Sequence, residues 1–166
     1  MNDTETLSAT LPDRLEEATR VLLTDACERG LRLATAESCT GGMLASLLTD
    51  VQGVAHVFER GFVTYSDESK SELLGVPKAL IEDHGAVSSE VVIAMAEGAL
   101  RRSRADIALA TTGFADSGRE PGLVYLACSR AGRATVSSAH QFGPIGRGGV
   151  RIATLEAAVD MMRQAL

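Results

Sequence analysis

Ser38 is the residue in this 166-residue chain best placed to act as a nucleophile. It sits in Thr35-Ala36-Glu37-Ser38-Cys39-Thr40-Gly41-Gly42, where a carboxylate, a hydroxyl and a thiol stand side by side. An apolar run, Leu31-Arg32-Leu33-Ala34, precedes this stretch, and Met43-Leu44-Ala45-Ser46-Leu47-Leu48 follows it. The pattern predicts the end of a strand, a polar turn, and a helix starting at Thr40 or Gly41, with Ser38 or Thr40 as its N-cap. A helix start carries unpaired N–H groups and partial positive charge, which suit an anion or a developing oxyanion. The two glycines would let a ligand approach the backbone closely. The same residues equally describe an ordinary capped helix start.

A serine hydroxyl needs a base. His56, His84 and His140 read as a helix-face, a pre-turn and a strand residue, and none lies in a matching turn. Lys70 is the better candidate, because a lysine in a dry cleft loses its proton more readily and can act as general base. Tyr65 could relay a proton or orient a ligand. Read on their own, Lys70 is also a solvated helix-face charge and Tyr65 a half-buried strand aromatic. Arg147, in a glycine-rich turn ahead of a helix, has a guanidinium that could grip a phosphate through two hydrogen bonds, or simply face solvent. The Thr112 hydroxyl, at a strand end, could bond a substrate or its own turn. Cys39 has no histidine nearby to lower its pKa and reads as a structural thiol.

These residues must be positioned by regular elements. A helix from Pro12 buries Leu15, Ala18, Val21, Leu22 and Ala26, and Gly30 stops it. A strand over 31–35 leads into the serine turn, and a helix covers about 40–49. Gly61-Phe62-Val63-Thr64-Tyr65 reads as a strand, followed by a helix capped by Ser66 with Asp67 and Glu68 in its first turn. Gly75-Val76-Pro77 breaks that helix, and a short one runs to His84. Ser88 caps a helix over 88–102, and residues 106–111 form a continuous apolar run, as in a buried strand. A loop spans 112–122. Residues 123–129 and 134–142 read as a hairpin, and the last helix starts at about Val150. This order predicts an α/β fold with a mixed sheet covered by helices on both faces. Its polar turns after the strands could then converge on one cleft.

Size and composition bound the possibilities. The length fits one domain over 12–166, preceded by a flexible segment, 1–11. Sixteen basic against twenty-two acidic residues leave a net charge of −6, which argues against nucleic-acid and anionic-membrane partners. Three cysteines without a C-x-x-C, and three scattered histidines, give no metal site. The beginning of the chain does not read as a signal peptide, and no apolar run approaches a membrane span, so a reducing cytoplasm is expected.

Several segments then fall into one ordered pattern. A-E-S-C-T-G-G at 36–42, G-F-V-T-Y-S-D-E-S-K at 61–70, L-L-G-V at 73–76, H-G-A-V-S at 84–88, A-M-A-E-G-A at 94–99 and T-G at 112–113 resemble the CinA C-terminal domain family over roughly residues 15–165. The resemblance implies a three-layer α/β/α sandwich and deamidation of nicotinamide mononucleotide (NMN) to nicotinic acid mononucleotide and ammonia, with no cofactor. It also implies Ser38 as nucleophile, with Tyr65 and Lys70 in proton transfer and positioning. Thr112, beside Gly113, would contact substrate, and Arg147 would hold its phosphate. Backbone N–H groups near Thr40, Gly41 and Gly42, next to Glu37, would complete the substrate-binding set as an oxyanion hole. The partner is then a small pyridine mononucleotide, and a homo-oligomer, dimer or higher, is expected.

The chain reads as a stand-alone version, without the molybdopterin-binding-like domain of longer CinA proteins. It departs from the family pattern in two places. The loop after Thr112-Gly113 is shorter, with Asp116 where glycine is typical, and Gly146 stands where an aspartate usually precedes the arginine. A non-catalytic nucleotide-binding module, or a hydrolase of another small amide, is the alternative this shortened loop keeps open.

Overall fold

Alternation of large and small apolar residues in the central strands decides how the layers stack. The computed structural model describes residues 11–116 and 119–166. In β1 (Leu33–Glu37) and β3 (Ile107–Gly113), Leu33, Ile107 and Leu109 face one apolar core, while Ala34, Ala36, Ala108 and Ala110 face the other. Successive strand residues point to opposite faces, so the bulky set and the alanine set each meet one helical layer.

The sheet order is β2-β1-β3-β4-β5, with β2 (Phe58–Val63), β4 (Leu123–Arg130) and β5 (Val136–Gln141). Strands β2, β1 and β3 run parallel, and β4 and β5 are added antiparallel. On the bulky face pack α1 (Asp13–Glu28), α2 (Met43–Thr49) and α6 (Gly146–Ala165). On the alanine face pack α3 (Asp67–Leu74), α4 (Lys78–His84) and α5 (Ser89–Arg101). The small side chains let this second layer lie close. A Cβ on Gly98 of α5 would stand 2.1 Å from the Leu74 carbonyl oxygen at the end of α3. The expected mixed sheet in a three-layer sandwich is what the chain forms.

The caps explain why the second layer starts where it does. The Ser66 hydroxyl accepts from the Ser69 N–H at 3.2 Å, and the Ser88 hydroxyl from the Val91 N–H at 3.3 Å. Several elements differ from the sequence reading, among them α2, which starts at Met43 and not at Thr40 or Gly41. Strand β1 ends at Glu37 rather than Thr35, because it is paired on both sides and the ladder continues past the apolar residues. Strand β2 ends at Val63, which leaves Thr64 and Tyr65 beyond it. Helix α6 starts at Gly146, four residues before Val150, so Arg147 lies in its first turn and not in a preceding loop. Glycines at 146, 148 and 149 are poor helix formers, and tertiary contacts made by Arg147 and Arg151 override them.

Of the expected flexible segment 1–11, residues 1–10 lie outside the described residues, and Leu11 packs against the core. No helix among the described residues is long and apolar enough to cross a membrane.

Candidate active site

The carboxyl ends of the three parallel strands bring the predicted residues together. Ser38 follows β1, Thr64 and Tyr65 follow β2, and Thr112 and Gly113 close β3. The ladder extends one step beyond β1 on both sides: the Ser38 N–H donates to Thr111 O at 3.0 Å, and the Thr64 N–H to Glu37 O at 2.8 Å. Ser38, Tyr65, Lys70, Thr112, Gly113 and Arg147 line one open cleft of about 280 Å³. Placement beyond the strand ends is the rule for ligand sites in parallel sheets. Among the described lining residues there is no histidine.

Lys70 is the centre of this cleft. It belongs to α3, yet it is 1% exposed, because its chain runs inward toward the strand ends. Its Nζ donates to Thr64 O at 2.9 Å and Tyr65 O at 3.2 Å, and lies 3.3 Å from Ser38 Oγ. Burial pulls its pKa below the usual 10.5, against the opposing pull of the Asp67 carboxylate and the Cys39 thiol. The nearest Asp67 oxygen is 4.0 Å away, on a side chain largely in water, so it screens the ammonium only weakly. A neutral amine keeps two N–H donors for the two carbonyls. Its lone pair is then free to accept from the Ser38 hydroxyl, whereas the ammonium donates to all three partners, Ser38 Oγ included.

The serine turn is built differently from the reading of a side-chain cap. Gly42, with φ +97°, is the N-cap of α2, and neither Ser38 nor Thr40 caps the helix. The fully buried Glu37 carboxylate does so instead, accepting from the N–H groups of Gly42 at 3.0 Å, Leu44 at 3.0 Å and Ala45 at 2.8 Å. Glu37 is therefore a structural anchor and does not line the cleft. Thr40 is turned inward, its hydroxyl 2.9 Å from that of Thr111. The Gly41 N–H donates to Ser38 O at 3.2 Å, and Gly41 and Gly42 adopt left-handed conformations that only the turn requires. Thr40, Gly41 and Gly42 lie outside the cleft lining, and the Gly41 and Gly42 amides are already engaged. This corrects the expectation that these amides face the ligand.

Removing the Glu37 anchor has a stability cost. Glu37→Ala would leave three N–H groups at a buried helix start without an acceptor, which should destabilise the fold by about 3 kcal/mol. Glu37→Gln should lose less, because its amide oxygen still accepts. Denaturant unfolding of the two variants checks the order.

The remaining lining residues sort by what already holds them. The Thr112 hydroxyl is fully buried and donates to Ala86 O at 2.8 Å, which leaves its lone pairs as acceptors. Cys39 borders the cleft, but burial pushes its thiol up to about 11, so it stays protonated. Tyr65 is 66% exposed, and its carbonyl, not its phenol, touches Lys70. Its phenol raises the Arg147 pKa, as does Asp116, whose effect is larger. Tyr65 thus lines the cleft with its phenol beside Arg147.

Two residues escaped the sequence reading. Asp116 holds the Arg147 guanidinium through both oxygens, at 3.0 Å to Nε and 3.1 Å to Nη2. Arg151, one turn beyond Arg147, donates from Nη2 to Thr40 O at 2.7 Å and pins the serine turn to α6. The spacing of Arg147 and Arg151 puts them on one helix face, a signal hidden by starting the helix at Val150.

A family model described as the CinA C-terminal domain matches residues 15–166. The crystal structure of competence/damage inducible protein CihA from Agrobacterium tumefaciens superposes with a TM-score of 0.90 at 40% identity, covering 93% of this chain and 96% of that one. A CinA superfamily protein from Escherichia coli gives a TM-score of 0.85 at 32% identity, covering 100% and 99%. A CinA-like protein of Syntrophus aciditrophicus (strain SB) is 44% identical over 159 residues, which are 93% of this chain and 37% of that protein. The chain spans well under half the length of the curated relatives it matches.

Proposed function

Because the chain belongs to the CinA C-terminal domain family, and its cleft holds a buried serine–lysine pair, we propose that it hydrolyses the amide of NMN to nicotinic acid mononucleotide and ammonia. The observation that carries this reading is the 3.3 Å contact between Lys70 Nζ and Ser38 Oγ in a site where Lys70 is buried. Neutral Lys70 takes the Ser38 proton as Oγ attacks the amide carbon. The resulting ammonium gives that proton to the leaving nitrogen, and ammonia departs. Water, deprotonated by Lys70, then attacks the Ser38 ester, and the acid leaves as Ser38 regains its proton.

The amide of Cys39, which lines the cleft next to Ser38, is the donor this reading assigns to the oxyanion. Such a donor is worth about 3 kcal/mol in the transition state. Thr112 accepts from the ligand, and Arg147 is the cation within reach of a phosphate. The activity is proposed for the cytoplasm. The working form is proposed to be a homo-oligomer, held together through exposed side chains such as Val63 and Leu73. A monomer in sedimentation would reject that form.

The base role fixes the pH dependence. Burial lowers the Lys70 pKa, so the neutral, active form accumulates below the ordinary value of 10.5. The kcat/KM for ammonia release should therefore rise with pH and level off, with a midpoint below 10.5. Stability runs in the same direction. Between the lowered folded pKa and the unfolded one, the unfolded chain binds more protons, so stability increases as pH rises through that window. A rate that falls across the same range would reject Lys70 as the base.

Calorimetric titration with NMN beside product analysis separates this reading from a binding module. Saturable binding without product would favour the module, whose support is the shortened loop after Gly113.

A further inference from the structure

We propose that Asp116 sets the ligand charge this cleft selects: its carboxylate occupies the Arg147 fork that a phosphate would need, so the site takes a pyridinium amide nucleoside at least about as well as the phosphorylated form. The inference rests on the reading of the cleft as a pyridinium amide site.

The geometry is two-pronged. Arg147 Nε and Nη2 meet Asp116 Oδ2 and Oδ1 at 3.0 and 3.1 Å, which is the fork a phosphate also uses. Asp116 takes the Nε–Nη2 edge of the guanidinium, so a phosphate docking on that edge must displace it. Gly146, the residue before Arg147, has no side chain to offer, so the anionic partner comes from a loop 31 positions away. The pair is also half-open to water, with side-chain exposures of 48% and 40%. A ligand can therefore displace the carboxylate, but must replace a bidentate contact to do so.

Charge in the cleft points the same way. Among the described lining residues the cations are Lys70 and Arg147, and the carboxylates are Asp67 and Asp116. Two carboxylates match the two cations, so the lining holds no net positive charge for a phosphate. Such a lining gives a dianionic phosphate little net attraction over an uncharged ribose.

Titration calorimetry of the native protein, Asp116→Asn and Asp116→Glu with NMN and with nicotinamide riboside, its dephosphorylated form, tests this. The native protein is expected to bind NMN no more than about threefold tighter than the riboside. Asp116→Asn should shift that ratio toward NMN by about tenfold, while Asp116→Glu keeps the native ratio. An unchanged ratio in Asp116→Asn, or one shifted toward the riboside, overturns the proposal, the latter by making Asp116 a support that holds Arg147 for phosphate. Failure of both ligands to bind any form overturns it together with the functional reading. A shifted ratio without ammonia release upholds the role of Asp116 and rejects the hydrolase.

Discussion

Ser38→Ala is expected to reduce kcat for ammonia release from NMN by roughly four to six orders of magnitude, the range seen when a hydrolase loses its nucleophile. The neighbouring thiol cannot take over. With its pKa pushed up to about 11, Cys39 is thiolate to only about one part in ten thousand at neutral pH. The fold should survive, because the described partner of the Ser38 hydroxyl is Lys70, which keeps both its carbonyl acceptors. Losing that one contact costs about 1 kcal/mol. Unfolding by denaturant and turnover, measured on the same preparation, read the two effects separately.

Lys70→Met is the second large effect. Methionine is close to lysine in volume and fills the buried channel beside α3, but it has no proton to exchange. The kcat/KM should fall by about a thousandfold or more, and the rise of rate with pH should disappear. Lys70→Arg should not restore either property: a guanidinium keeps the charge but does not give up its proton in a protein. That contrast separates a base from a fixed cation. The two residues act as one unit, so Ser38→Ala combined with Lys70→Met should be no slower than the slower single variant. Additive losses would mean that Lys70 serves some other step.

Local physical chemistry made much of this fold legible. The continuous apolar run over residues 106–111 marked a buried strand, and Ser66 and Ser88 announced their helices through the cap each supplies. The order of elements placed the polar turns at one edge of the sheet, and Ser38, Lys70, Thr112 and Arg147 do share a cleft. What stayed hidden depends on partners distant in sequence. Glu37 looked like a ligand contact because nothing local shows that β1 runs two residues further and aims its carboxylate at the start of α2. Arg147 looked like a loop residue because glycine-rich sequence favours a turn, whereas Asp116 and the Thr40 carbonyl anchor the first turns of α6. Asp116 itself registered only as a departure from a pattern, since an ion pair between residues 116 and 147 leaves no periodic trace.

The mechanism requires that a neutral lysine and a serine at the end of β1 hydrolyse an amide, and product analysis tests that most directly. Purified protein incubated with NMN at mildly alkaline pH should release ammonia and nicotinic acid mononucleotide in equal amounts, and the Ser38→Ala protein should release neither. Saturable binding of NMN with no product from the native chain, or equal product from the Ser38→Ala chain, would contradict it.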